Sequence, residues 1–199
     1  MQPLSLDDLL PLDEYAGRRR EFFEAQARYL DRYRRIRIGP QVTLLFENRQ
    51  TLWFRVQELL RVARLSDPAL VQDELDLYNR LLPGRDCLQA ALLFEVPEEA
   101  RLTDALAAWR HLQGDHLQLR IGTARFPAEL LTCRPEDRAV GTAHWVTFHL
   151  DKRGRQFLAD DRQPAHFALD YAGYQHASPP LSEDVRQSLM EDLEMSDRG

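Results

Sequence analysis

The chain has little of what marks the common catalytic architectures. Its nine glycines stand at 17, 39, 84, 114, 122, 141, 154, 173 and 199, and no two are closer than eight positions. A phosphate-cradling loop needs clustered glycines so that backbone amides can close on the anion, so Walker and dinucleotide-binding fingerprints are absent. There is no Gly-x-Ser-x-Gly elbow, which removes support for an α/β-hydrolase. The two cysteines, Cys87 and Cys133, form no Cys-x-x-Cys pair, so zinc-ribbon, iron-sulfur and dithiol motifs have no local basis. Apolar runs such as Val42 to Phe46, broken only by Thr43, and Ala90 to Phe94 fall far short of the roughly 20 residues of a membrane span. The amino terminus carries no basic region followed by a long apolar one, and two isolated thiols suit a reducing compartment. The expected location is the cytoplasm, with no membrane and no cofactor.

What is present fits a globular protein. A chain of 199 residues with 44% hydrophobic and 29% charged side chains has the size and balance of one domain with a buried core. The net charge of -6 argues against a general nucleic-acid binder, whose footprint is basic. Of the 26 basic residues only Lys152 is a lysine, which reads as coding composition.

Periodicity predicts a mixed organisation in a single unit, 1–199. Its parts are a helical portion with one strand (13–82), a sheet-rich portion (88–171) and a carboxyl-terminal helix (183–195). Ser5 with Asp8 suits a short capped turn before Pro11. Tyr15, Phe22, Phe23, Tyr29, Leu30, Tyr33 and Ile36 recur at helical spacing and predict a long first helix, stopped by Gly39 and Pro40. Val42 to Glu47 reads as a strand. Asn48 then caps a second helix with Leu52, Trp53, Val56, Leu59, Leu60 and Ala63 inward, and Ser66, Asp67 and Pro68 open a third that runs to Leu82. Leu88 to Val96 is a strand, Glu98 to Leu112 a helix closed by Gly114, and His116 to Phe126 a half-buried strand by its alternation. Leu131 to Gly141 reads as a loop. His144 to Leu150 and Ala165 to Tyr171 are further strands, joined by a segment with a helical turn near Arg153 to Asp160. A last acidic helix, Glu183 to Met195, is expected at the periphery. The class is α+β, with a mainly antiparallel sheet of about five strands and the amino-terminal helices packed on one face.

The titratable residues give no metal site. His144 and His149 are five apart, so a strand sends them to opposite faces; His111 and His116 flank the Gly114 turn without a Glu-x-x-His motif. Cys87 beside a buried strand reads as a small core residue, and Cys133 as a loop thiol. The first helix carries Arg18, Arg19, Arg20, Arg28, Arg32, Arg34, Arg35 and Arg37 with Tyr29 and Tyr33 among them. Glu24 before Arg28 and Asp31 before Arg35 stand at i,i+4, the orientation for intrahelical pairs. A solvated, salt-bridged helix is therefore favoured over an RNA-binding one.

Two charges fall where charge is expensive. At about 100° per residue, Arg19 lies within the apolar stripe of the first helix, and Glu74 lies between Val71, Leu75 and Tyr78 on one side and Leu70, Leu77 and Leu81 on the other. A buried carboxylate requires a cation, hydrogen bonds or a proton. Glu74 is therefore expected in an internal polar cluster with Arg19, Tyr78 or Asn79 as partners. A structural ion pair is favoured over a catalytic carboxylate.

Phe46, Glu47, Asn48, Thr51, Trp53, Gln57 and Glu58, followed by Glu74, Leu75, Tyr78, Asn79, Leu82 and Pro83, resemble the signature of an uncharacterised bacterial family, a domain of unknown function. The similarity covers nearly the whole chain. It departs at Ala172 and Gly173, where the family more usually carries a His-Pro pair. The resemblance implies genes beside those of rubrerythrin-like ferritin-fold proteins and iron-sulfur redox proteins, hence a role in peroxide or redox stress. The leading expectation is a non-enzymatic accessory or partner-binding protein of such a module. One alternative is a small metal- or ligand-binding enzyme using Glu47, Asn48, Glu74 and Tyr78, since two acids, an amide and a phenol can build a proton-transfer site. The other is a nucleic-acid-binding regulator using the arginine helix.

Overall fold

Strands in this chain follow the alternation of apolar and polar side chains, and several of them are too short for that pattern to be separated from a helical one. The computed structural model describes residues 1–96, 101–131 and 143–197. Cys133, Glu98 and most of the expected 131–141 loop lie outside the described residues. Helix α1 spans Leu12–Tyr29, followed by a wide helical turn at Leu30–Arg34 and strands β1, Arg35–Ile38, and β2, Val42–Phe46. Helices α2, Arg49–Ala63, and α3, Pro68–Asn79, precede β3, Cys87–Phe94, and α4, Leu102–Ala107. Then come β4, Leu117–Ile121, β5, Ala124–Leu130, β6, Ala143–His149, α5, Lys152–Ala159, β7, Ala165–Tyr171, β8, Tyr174–Ala177, and α6, Glu183–Asp197.

The α+β class and the antiparallel sheet stand, but the sheet has eight strands in the order β1-β2-β3-β6-β5-β4-β7-β8, not about five. Three short elements account for the difference. Ile36 fits a helical stripe as well as the Arg-Ile-Arg-Ile alternation of β1, so α1 ends at Tyr29, short of the Ile36 that its apolar pattern includes. The expected strand 116–126 is a hairpin, because Gly122 takes φ +53° and turns the chain between β4 and β5. Strand β8 follows a two-residue turn in which Ala172 and Gly173 both have positive φ, 50° and 86°. That is the primed turn geometry of tight hairpins, and a proline at 173 could not adopt it because its ring holds φ near −65°.

The sheet curls until its edges meet. Tyr174 Oη on β8 donates to Ile38 O at 2.6 Å and accepts from Gln41 N at 3.1 Å. Gly39, with φ +70°, makes this approach possible: a Cβ there would stand 2.5 Å from the His176 ring and 2.6 Å from Tyr174 Oη. The result is a near-barrel filled by alternate side chains, among them Leu44, Phe46, Leu92, Phe148, Phe167 and Leu169. Helix α6 is not peripheral as expected: Leu189 and Leu193 are fully buried in this same core. Arg186, 5% exposed, donates to the carbonyls of Phe157, Leu158, Asp160 and Gln163 at the end of α5, which satisfies terminal carbonyls that have no helical partner.

Helices α1, α2 and α3 form a separate unit around Leu4, Leu52, Val56, Leu60, Val71 and Leu75. Its caps follow the expected chemistry: Asn48 Oδ1 accepts from Thr51 N at 3.0 Å while Thr51 Oγ1 accepts from Asn48 N at 2.9 Å. Asp67 caps α3 with Pro68 in its first turn, and that helix ends at Asn79 rather than Leu82. The unit reaches the outer sheet face through α2, whose Arg55 lies over the Trp145 ring at 5.6 Å. Helix α4 is shorter than its pattern predicts, and Leu102 is exposed while Leu106, Trp109 and Leu112 turn inward. Gly114 opens a short turn, Gly114–His116, rather than closing a helix.

Candidate functional site

The polar groups expected around Glu74 are not assembled there. Glu74 is half-exposed on α3, with no hydrogen-bond or ionic partner among the described residues. Asn79 is spent on the backbone of Leu4, donating to its carbonyl at 2.9 Å and accepting from its amide at 2.8 Å. Tyr78 packs half-buried against the helical core. Arg19 binds Glu58, not Glu74, through Nε at 2.9 Å and Nη2 at 3.0 Å. Tyr15 Oη donates to the same carboxylate at 2.9 Å, and Arg61 approaches it at 3.0 Å. Burial alone would raise the Glu58 pKa, but the hydrogen bonds from Arg19, Arg61 and Tyr15 hold it down at about 2. Helical periodicity placed both Arg19 and Glu74 where charge would be buried, and neither is: Arg19 keeps 41% of its side chain exposed and pairs with Glu58, and Glu74 is half-exposed. α3 turns Leu70 and Leu77 to solvent and so rotates Glu74 away from the interior.

Glu47 and Asn48 do lie in a buried cluster, with partners that sequence spacing did not suggest. Arg34, 2% exposed, ends the wide turn after α1 and grips both oxygens of Asp192 on α6. It also donates to Tyr29 Oη at 3.0 Å and to Ser188 O at 3.4 Å. Tyr29 Oη accepts a second bond from Asn48 Nδ2 at 2.9 Å. Glu47, fully buried where β2 meets α2, accepts from Thr51 Oγ1 at 2.5 Å. Its other oxygen stands 2.6 Å from Arg55 Nη2 in an ion pair.

Burial raises the pKa of both acids against the pull of Arg55 and Thr51 on Glu47 and of Arg34 on Asp192. Burial also opposes charge on Arg34, but Asp192 and Tyr29 outweigh it. Two acids and two guanidiniums thus balance at the junction of α1, α2 and α6. A cleft of about 370 Å³ opens over them, lined by Tyr29, Arg34, Asn48, Trp53 and Asp192. Two acids, an amide and a phenol are therefore present, but the second acid is Asp192 and the phenol is Tyr29. The acid is distant in sequence and no local motif could have pointed to it. Both arginines are occupied by acids, so the cluster ties the helical unit to the barrel more than it offers a free charge.

The remaining candidates separate. His144 is buried and His149 exposed on opposite faces of β6, as alternation requires. His116 accepts from Gln113 N at 2.9 Å. Among the described residues no group of three or more His, Cys, Asp or Glu is arranged to hold a metal ion. On the arginine-rich segment the Glu24 pair forms with Arg20 rather than Arg28, and the Asp31–Arg35 pair is present. Arg18, Arg32 and Arg37 are also matched by acids.

Residues 3–193 match the model of a family described as a protein of unknown function, DUF3501. The chain belongs to that family. The DUF3501 match extends over nearly the whole chain, through both the barrel and the helical unit. The structure is also similar to that of a novel protein of unknown function from Burkholderia pseudomallei K96243. That protein is 28% identical, with a TM-score of 0.85, over 96% of this chain and 100% of that one. No curated protein matches significantly. Among the described residues no helix is long and apolar enough to cross a membrane.

Proposed function

We propose that this DUF3501 protein is a partner-binding accessory protein that docks through its helical unit. One observation carries the reading. Of the six large apolar side chains exposed among the described residues, Leu6, Phe23, Val62, Leu70 and Leu77 belong to the helical unit, and only Leu102 does not. Leu70 and Leu77, 51% and 53% exposed, are one heptad apart and share a face of α3. The same unit carries an apolar groove of about 560 Å³, lined by Leu6, Leu9, Leu12, Leu60, Leu65 and Val71. Apolar surface concentrated on one part of a molecule marks an interaction site.

The partner is a rubrerythrin-like or iron-sulfur redox protein of a bacterial cytoplasmic stress module, a choice that rests on the family resemblance alone. The in-chain pairing of the arginines supports a protein partner over nucleic acid, because little positive charge is left uncompensated. The test is titration of the purified rubrerythrin-like protein from the same organism, followed by light scattering. A defined complex is expected with the wild type. The doubly substituted Leu70→Glu, Leu77→Glu chain should lose it while its circular dichroism is unchanged. No complex with the wild type, or equal binding by the variant, overturns the reading. A second reading places a small ligand in the cleft over Tyr29, Asn48 and Asp192, favoured by the buried acids beneath it. Stoichiometric iron, manganese or zinc in the purified protein would move the assignment there.

A further inference from the structure

The outer face of the sheet carries a second polar patch, independent of the helical docking surface. Strand pairing sets Cys87 opposite His149 and Gln89 opposite Thr147, and sets Glu129 on β5 opposite Thr147. Directly opposed residues of antiparallel strands point to the same side, so five chemically active side chains share one small area. Cys87 Sγ lies 3.1 Å from His149 Nδ1, and His149 Nε2 lies 3.1 Å from Glu129 Oε2. The imidazole is thus bridged through both ring nitrogens, one to a thiol and one to a carboxylate. A metal could not take all three, because the two contacts leave opposite sides of the ring. A proton relay can.

Two residues along each strand from Cys87 and His149, on the same face, Gln89 and Thr147 stand opposite one another. Among the described residues Gln89 Nε2 and Thr147 Oγ1 have no hydrogen-bond partner, in residues only 6% and 8% exposed. A buried donor without a partner costs about 1 to 3 kcal/mol, and neither group serves a helix cap or a strand ladder. The patch runs from this covered end to an open one, where His149 and Glu129 reach solvent.

We propose that Cys87 is an acyl-accepting nucleophile, with His149 as its base, Glu129 as the positioning residue, and Gln89 and Thr147 as donors to the developing oxyanion. The substrate class is a small ester or thioester. Cys87 Sγ attacks the carbonyl carbon, and its proton passes to His149 Nδ1 as the S–C bond forms. The carbonyl π pair moves onto oxygen, which accepts from Gln89 Nε2 and Thr147 Oγ1. Collapse breaks the bond to the leaving group, which takes the proton from His149. Water, deprotonated by the same imidazole, then hydrolyses the thioester and returns the thiol. Burial, with Asp86 and Glu129 nearby, pushes the thiol pKa up, so the proton leaves in concert with attack rather than beforehand. Glu129 keeps the ring turned with Nδ1 toward sulfur.

The test uses the full chain and p-nitrophenyl acetate. About one equivalent of nitrophenolate should appear in a burst, with the acetyl group mapped to Cys87 and not to Cys133 or Lys152. His149→Ala should slow acetylation of Cys87 about a hundredfold. Glu129→Ala should slow it less, and Glu129→Gln should recover most of the rate, because the amide oxygen still accepts from the ring. Gln89→Leu removes a donor that has no partner in the resting protein. It should therefore leave the melting temperature unchanged or higher while slowing acetylation about a hundredfold. That opposition of stability and rate would not arise from a merely structural glutamine. Acetylation confined to Cys133 or amines, equal rates at Cys87 in wild type and His149→Ala, or an undiminished rate in Gln89→Leu overturns the proposal.

Discussion

The near-barrel and the helical unit solve the burial problem in opposite ways. Strands from both halves of the chain close around a core in which Leu44, Leu92, Phe148, Phe167 and Leu189 are all fully buried, and α6 seals it. The helical unit has a core of six residues, leaves Phe23, Val62, Leu70 and Leu77 exposed, and is joined internally by the Arg19–Glu58–Arg61 contacts. Apolar burial is non-directional and scales with area, so the larger, closed part sets global stability. The smaller part retains apolar surface and polar joints, which are the features of a region that meets something else. Buried charge sits between the two parts, where Arg34 and Asp192 tie the end of α1 to α6.

The largest expected effect concerns that tie. Asp192→Ala leaves Arg34 buried and uncompensated, and should destabilise the chain by about 3 to 5 kcal/mol. In urea, the helical signal should be lost before the sheet signal, separating transitions that coincide in the wild type. If the two still coincide, the division into two parts is wrong.

Next in size is a pair of truncations. Phe148→Ala in the barrel should cost about 3 to 5 kcal/mol, and Leu75→Ala in the helical unit about 2 to 3. Hydrogen exchange distinguishes them beyond magnitude. The first should accelerate exchange in every strand, and the second chiefly in α1, α2 and α3. Uniform acceleration by Leu75→Ala would show that the parts unfold as one.

The smallest effect is electrostatic. Glu58 has its pKa depressed to about 2 from an ordinary value of 4.5, so its contribution is present above pH 4.5 and is lost as pH falls toward 2. Glu58→Gln should remove about 1 to 2 kcal/mol near pH 7 once solvent screening is allowed for, and almost nothing at pH 2. Thermal melts of both chains across that range should converge at the acid end; a constant gap would assign the effect to packing.

Much of the local structure was legible because it depends on near neighbours. The Asn48 and Asp67 caps, the Pro68 start, the opposed faces of His144 and His149 and the core strands β2, β3, β6 and β7 all follow from a few adjacent residues. The failures share another cause. Arg-Ile-Arg-Ile in β1 and Tyr-Gln-His-Ala in β8 are too short to reveal a period, and each is a strand because a neighbour supplies its hydrogen bonds. The acidic helix α6 shows a weak apolar stripe, yet the barrel mouth selects Val185, Leu189 and Leu193 and buries them. Glu74 was favoured by its helical position alone, while the choice between Glu58 and Glu74 depended on how α1 lies against α2.

The amino-acid sequence alone determined the α+β class, the helix caps, most strand cores and membership in a family whose pattern extends along nearly the entire chain, because each is written in local spacing. Only the tertiary structure decided that the sheet closes, that Arg34 meets Asp192 from 158 residues away, and that Cys87, His149 and Glu129 stand in line. Those outcomes depend on strand order and register. A chain can satisfy the same local preferences in many ways, and only the packed arrangement chooses which distant side chains become neighbours.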